Sequence, residues 1–170
     1  IYIRGILHWG YYPNLISITP SEKQIRYEFT ELRKAGFNLV KVCMFTFPKK
    51  FYEIADEMGM LVWQEYPLWY TFPKSNDKGP FDDIASEYSE WFKYDRNFTC
   101  VILRDLTCEA TDMNQSLTNE LFDMGKEMTG GAILEDNSSY LITPRSDFHD
   151  GHFYFELDDH YGNIENCAIP

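Results

Sequence analysis

The segment Cys100-Val101-Ile102-Leu103-Arg104-Asp105-Leu106-Thr107-Cys108-Glu109 decides how the chain is read. Its apolar opening, Val101-Ile102-Leu103, has the character of a strand covered on both faces, as in parallel sheets. Its polar end delivers one carboxylate, Glu109, where such a strand stops. An acidic residue in that place is either a solvated loop charge or chemistry. The flanking sequence has to separate the two.

Upstream, the same strand-then-helix unit recurs. Ile1 to Leu7 predicts a first strand with the polar-aromatic tip His8-Trp9-Gly10. Thr19-Pro20-Ser21-Glu22 offers a capping Thr, a Pro at the first helical position and a Glu three residues after the cap, and Gly36 is placed to end that helix. Leu39 to Met44 predicts a second strand and Pro48 opens a second helix, with Phe51, Ile54, Ala55 and Met58 on one face before Gly59. Met60 to Gln64 is a third strand leading into Glu65-Tyr66-Pro67. The aromatic loop that follows, with Trp69, Tyr70 and Phe72, runs about a dozen residues, longer than the usual connection and often a mark of function. Phe81, Ile84, Ala85, Tyr88, Trp91 and Phe92 trace the apolar stripe of a third helix.

Downstream, Leu117, Leu121, Met124 and Met128 predict a fourth helix over Gln115 to Met128, ended by Gly130-Gly131. Ala132 to Leu134 is a short fifth strand, and Phe148, Phe153 and Phe155 suggest a sixth strand and its loop. Units of about 25 to 45 residues imply a parallel α/β sheet. A doubly wound nucleotide-binding fold would need a glycine-rich turn after a strand, and neither G-x-G-x-x-G nor G-x-x-x-x-G-K-[ST] occurs. A (β/α)8 TIM barrel instead gathers its chemistry at the carboxyl ends of many strands. His8-Trp9, Phe45, Glu65-Tyr66, Glu109 and His149-Asp150 all fall near such ends, so the expectation is a barrel, incomplete after about six units.

Composition bounds the partners. The chain has 170 residues, 44% of them hydrophobic, enough for one domain with a core, and no internal linker divides residues 1–170. A net charge of -12 and no run of Lys or Arg argue against nucleic acid and anionic membrane surfaces. No apolar run approaches the roughly 20 residues of a membrane span. No signal peptide is visible, but Ile1 lies inside a predicted strand and no initiating Met precedes it, so the chain reads as a piece of a longer polypeptide. Cys43, Cys100, Cys108 and Cys167 are far apart and read as buried free thiols. Sequons at Asn97, Asn114 and Asn137 carry little weight alone.

The order of motifs resembles a known family. Arg4-Gly5, Ala35-Gly36-Phe37-Asn38, the run F-Y-E-I-A-D-E-M-G-M-L-V-W-Q-E over 51–65, and I-L-x-x-L-x-x-E ending at Glu109 look like the catalytic barrel of the β-galactosidase and β-glucuronidase glycoside hydrolases, family 2. The likeness covers about Arg4 to Ala110 well and Ser146 to Asp150 more loosely. It implies that Glu109 is the general acid/base. In that family an Asn that binds the sugar 2-hydroxyl precedes this Glu, whereas here Cys108 stands in its place, and a thiol is a poor substitute for an amide that both donates and accepts. A retaining glycosidase holds a nucleophile about 5 Å from the acid/base, an inverting one about 6.5 to 9.5 Å away. The family's nucleophile lies at the end of the seventh strand, so the resemblance places it outside these residues, with flanking domains of the same polypeptide around the barrel.

Around Glu109, the substrate-binding candidates are His8 and Trp9, Glu65, Tyr66, Trp69, Cys108, His149 and Asp150. Aromatic rings suit the apolar face of a pyranose, so Trp9, Tyr66, Trp69 and Tyr70 are candidates for its wall, against the alternative that they pack the core or cover the rim. Glu65 is a second cleft carboxylate or the partner of a Lys or Arg. Arg104 and Asp105 are expected to form a structural ion pair or a polar layer inside the barrel. His149, Asp150 and His152 lack a third ligand at recognisable spacing, so neither a metal nor a cofactor is expected. The reading is therefore retaining hydrolysis of O-glycosidic bonds in an oligosaccharide or glycoside, outside the cytoplasm (extracellular or periplasmic). The alternative is a carbohydrate-binding barrel without catalysis.

Overall fold

A computed structural model describes residues 2–12, 19–138 and 145–152. Among the described residues nine elements alternate: β1 (Gly5–His8), α1 (Glu22–Lys34), β2 (Leu39–Val42), α2 (Lys49–Met58), β3 (Leu61–Glu65), α3 (Asp82–Asp95), β4 (Val101–Asp105), α4 (Gln115–Met128) and β5 (Ile133–Glu135). The strands form one parallel sheet in the order β1-β2-β3-β4-β5. That order never reverses, so the sheet has no switch point of the doubly wound kind. No helix among the described residues is long and apolar enough to cross a membrane.

Strand register sorts the side chains onto two faces, because neighbours along a strand point to opposite sides. His8, Val42, Gln64, Arg104 and Leu134 share one line of register and face the helices. Leu7, Lys41, Trp63, Leu103 and Ile133 form the next line on the other face, continued at the strand ends by Glu65, Asp105 and Glu135. On the helix side, α1 and α2 bury Ile25, Phe29, Phe51 and Ile54 against Val40, Val42 and Val62. A second cluster joins Tyr66, Tyr88, Phe92, Leu117 and Leu121 to Leu134. Each large side chain buried there contributes about 1.5 to 3 kcal/mol relative to exposure.

Several expected boundaries move, each for a local reason. Ser21, not Thr19, caps α1: its hydroxyl accepts from the Gln24 amide while the Gln24 side chain returns to the Ser21 N–H, a capping box two residues later than expected. Pro20 therefore precedes the cap. The first strand begins at Gly5, because pairing starts with Gly5 opposite Leu39, and it extends through His8. Gly59 closes α2 in the left-handed conformation, as expected. Arg104 and Asp105 do not pair with each other. Adjacent on β4, they face opposite sides, Arg104 reaching Asp95 of α3 at 2.9 Å and Asp105 reaching Lys41 at 3.0 Å. Phe148 lies in a bend and packs edge-on against Trp63, while Phe153 and Phe155, with the rest of the expected sixth strand, fall outside the described residues.

Candidate active site

A cleft of about 480 Å³ opens at the carboxyl ends of the strands, on the face away from the helices. Glu109, Glu65, Cys108, Trp9, Trp69 and Asp150 all line it. Lys41 and His152, neither of them a substrate-binding candidate from the sequence, line it as well.

Glu109 is held in an unusual backbone state. Its φ of 53° is left-handed, which costs a residue with a β-carbon roughly 1 to 2 kcal/mol. Bonds on both sides enforce it. The Cys108 N–H donates to Leu68 O at 3.2 Å and the Glu109 N–H to Ser138 O at 3.0 Å. The Asn137 side chain brackets Ala110, accepting from its N–H and donating to its carbonyl, both at 3.0 Å. Loops after β3, β4 and β5 are thus tied together beyond the strand ends, and the carboxylate is fixed between them. The Trp69 indole Nε1 donates to Glu109 Oε2 at 3.0 Å, and His152 Nδ1 lies 2.8 Å from Oε1. Met44 and Tyr70, the other positive-φ residues besides glycines among those described, sit at the same rim, Met44 lining the cleft and Tyr70 next to Trp69.

Below Glu109 the floor is a buried charge cluster. Lys41 Nζ lies 3.1 Å from Glu65, 3.0 Å from Asp105, 3.0 Å from Asp150 and 2.6 Å from Ser138 Oγ, with the Trp63 ring centroid at 4.1 Å. Burial alone would lower the ammonium's proton affinity, but the charges of Asp105, Glu65 and Asp150 outweigh it and raise the pKa. One lysine does not balance so many carboxylates. Burial therefore pushes Asp105 up to about 7, against the pull of Lys41, and burial with the charges of Asp105 and Asp150 pushes Glu135 well above the carboxylate range. Burial also pushes at Asp150, yet its bond to His152 and the Lys41 charge hold this carboxyl low. The segment 145–152 is docked by Asp147, whose N–H donates to Leu134 O and whose carboxylate accepts from the Leu134 N–H, both at 2.9 Å.

Among the described residues, two sets of three side chains bring possible metal-ligand atoms within 4.8 Å: Cys108, Glu109 and His152, and Asp105, Glu135 and Asp150. In the first, burial pushes the Cys108 thiol up, away from the thiolate a metal needs. In the second, the Lys41 ammonium already contacts Asp105 and Asp150 and supplies the positive charge.

Three expected site residues stand apart from the cleft. His8 falls on the helix-facing line of register, where its Nδ1 accepts from the Gly10 N–H at 3.0 Å, its Nε2 lies 2.9 Å from Glu28, and Phe47 packs edge-on against its ring. Tyr66 is fully buried, stacked on Trp91 and donating to Asp95 Oδ2 at 2.6 Å. His149 lies beside Glu135 at 3.7 Å and does not line the cleft, whereas Asp150 does. Lys41 had a readable signal, a lone cation inside the otherwise apolar Leu-Val-Lys-Val. His152 had none beyond its proximity to His149.

Similarity to known proteins points the same way as the motifs. No family model matches the chain. In sequence it is similar to a putative β-glucuronidase of Formosa agariphila, 25% identical over 111 residues, which is 64% of this chain and 10% of that protein. In fold it is similar to Bacteroides uniformis β-glucuronidase 3, with a TM-score of 0.78 and 17% identity over 99% of this chain and 23% of that one. It is also similar to a β-D-mannosidase from Dictyoglomus thermophilum, with a TM-score of 0.55 and 18% identity over 69% of this chain and 16% of that one. The chain thus spans less than a quarter of the length of each of these relatives. It resembles a fragment of the β-galactosidase and β-glucuronidase class of glycoside hydrolases, in sequence motif and in fold.

Proposed function

We propose that the chain is the larger part of a (β/α)8 barrel domain, carried in a longer polypeptide with flanking domains, that hydrolyses O-glycosidic bonds by a retaining mechanism. Glu109 is the general acid/base, protonating the departing oxygen and then activating water, and the nucleophile lies on a strand outside these residues. The single observation that carries this reading is the placement of Glu109, a left-handed carboxylate locked by three loops at the mouth of the cleft. Trp9 and Trp69 in the lining suit a sugar's apolar face. Glu65, tied to Lys41, orders the floor beneath the sugar. The substrate is a glycoside or oligosaccharide, and an extracellular or periplasmic location goes with it.

The test is Glu109→Gln in the complete polypeptide. Glycosides with poor leaving groups should lose about 10² to 10⁴-fold in turnover; unchanged hydrolysis would overturn the assignment. One observation favours the second reading, a carbohydrate-binding barrel without turnover: Cys108 lines the cleft where the resembled family has an amide. Oligosaccharide binding with no hydrolysis by the complete polypeptide would establish it.

A further inference from the structure

Glu109 is one end of a chain of contacts that runs into the floor. His152 Nδ1 lies 2.8 Å from Glu109 Oε1, and His152 Nε2 lies 2.9 Å from Ser138 Oγ and 3.5 Å from Asp150 Oδ2. Asp150 continues to Lys41, and Lys41 to Glu65 and Asp105. The imidazole is therefore gripped between two carboxylates from different segments, the loop after β4 and the segment docked on β5. Resting on the acid/base reading of Glu109, we propose that His152 is a positioning residue that shares one proton with Glu109, keeping the acid form of that carboxyl within reach at pH values where an isolated carboxyl has lost it.

The charged surroundings favour holding that proton. Asp150 raises the proton affinity of His152 most, burial opposes it, Glu109 adds to it, and Lys41 on β2 works against it. The Cys108 thiol lies in the same group of side chains and stays neutral, because burial pushes its pKa up. Asp150, held low, presents a permanent negative charge to the far side of the ring. The pair then carries one proton in either of two forms, imidazolium with carboxylate or neutral imidazole with carboxylic acid. Passing from the first to the second breaks the Nδ1–H bond of His152 and forms the O–H bond of Glu109. The acid protonates the leaving oxygen, and the water that attacks in the second step returns a proton to Glu109, so the pair ends with the count it began with. A lone carboxyl would have to find its proton in solvent.

The sign of one pH shift decides. In the complete polypeptide, wild type and His152→Gln are compared on an alkyl glycoside, whose leaving group needs a proton, and a dinitrophenyl glycoside, whose leaving group does not. If the proton is shared, the basic limb of kcat/KM for the alkyl glycoside moves down by about two pH units, the gap between ordinary His and Glu values, while kcat/KM for the dinitrophenyl glycoside shows no such shift. If His152 acted only as a charge favouring the carboxylate, its removal would move that limb up; an upward or absent shift overturns the proposal. Should neither glycoside be hydrolysed, the acid/base reading fails on its own, and the pair is read directly by nitrogen NMR of the imidazole. Replacing Glu109 by Gln should then lower the imidazole pKa by about one unit or more. Equal titration in the two proteins would sink the shared proton independently of any activity.

Discussion

Lys41 on β2 reaches past β3 to Asp105 at the end of β4, Nζ to Oδ2 at 3.0 Å, and so joins three strands through one buried ammonium. Removing it leaves Glu65, Asp105 and Asp150 without their shared counter-charge. Lys41→Met should therefore destabilise the fold by about 3 to 5 kcal/mol at neutral pH, the range for truncating one partner of a buried ion pair. Urea unfolding measures the loss, and the deficit should shrink at pH 5 as the stranded carboxyls take up protons.

The same cluster gives stability a pH dependence of defined sign. Asp105 titrates at about 7 in the folded chain and near 4 when unfolded. Its contribution is complete below the lower value and lost as pH rises through the upper one, and Glu135 shifts in the same direction. Asp150, held low, contributes above about pH 4 and loses its contribution as pH falls below its ordinary range. Unfolding free energy should decline from about pH 5 to about pH 7, and Asp105→Asn should flatten that decline. An unchanged slope in the variant would assign it to other groups.

Trp69 separates orienting from binding. Its indole donates to Glu109 Oε2 at 3.0 Å, while its ring stands in the cleft wall. Trp69→Phe keeps a ring and deletes the donor, so kcat for glycosides with poor leaving groups should fall about tenfold, the worth of a hydrogen bond to a charged group, with KM little changed. Trp69→Ala should raise KM as well.

Gly125 of α4 tests the helix layer. A β-carbon there would lie 2.9 Å from Phe92 Cζ and 3.0 Å from Leu134 Cδ2. Alanine ordinarily gains about 1 kcal/mol over glycine inside a helix, but overpacking a filled core costs about 1 to 3 kcal/mol. Gly125→Ala should thus lower the melting temperature despite its better helix propensity.

Much of the architecture was legible in the residues. Apolar spacing marked every helix that the structure contains, and α4 runs over the expected Gln115 to Met128. Strand ends were legible to within a few residues, because turn-formers such as Gly59 and Gly130-Gly131 act locally. Glu109 could be singled out because a strand end is a place in sequence as much as in space. His8 and Tyr66 were harder. Whether a residue at a strand end faces the cleft or the helices depends on parity, and one position along the strand reverses it. Leu7 and His8 show this: the apolar side chain lines the cleft and the polar one packs beneath α1.

By itself, then, the sequence determined the repeating strand-helix units, the glutamate just beyond the fourth strand and the family likeness, since all three are carried by local pattern. Tertiary structure alone decided which charges meet. Lys41, Glu65, Asp105, Ser138 and Asp150 are spread over more than a hundred positions of chain and converge only because parallel register brings equivalent strand ends side by side. Burial and the distances between these charges then set the proton affinities of Lys41, Asp105 and Asp150, quantities that no linear spacing encodes.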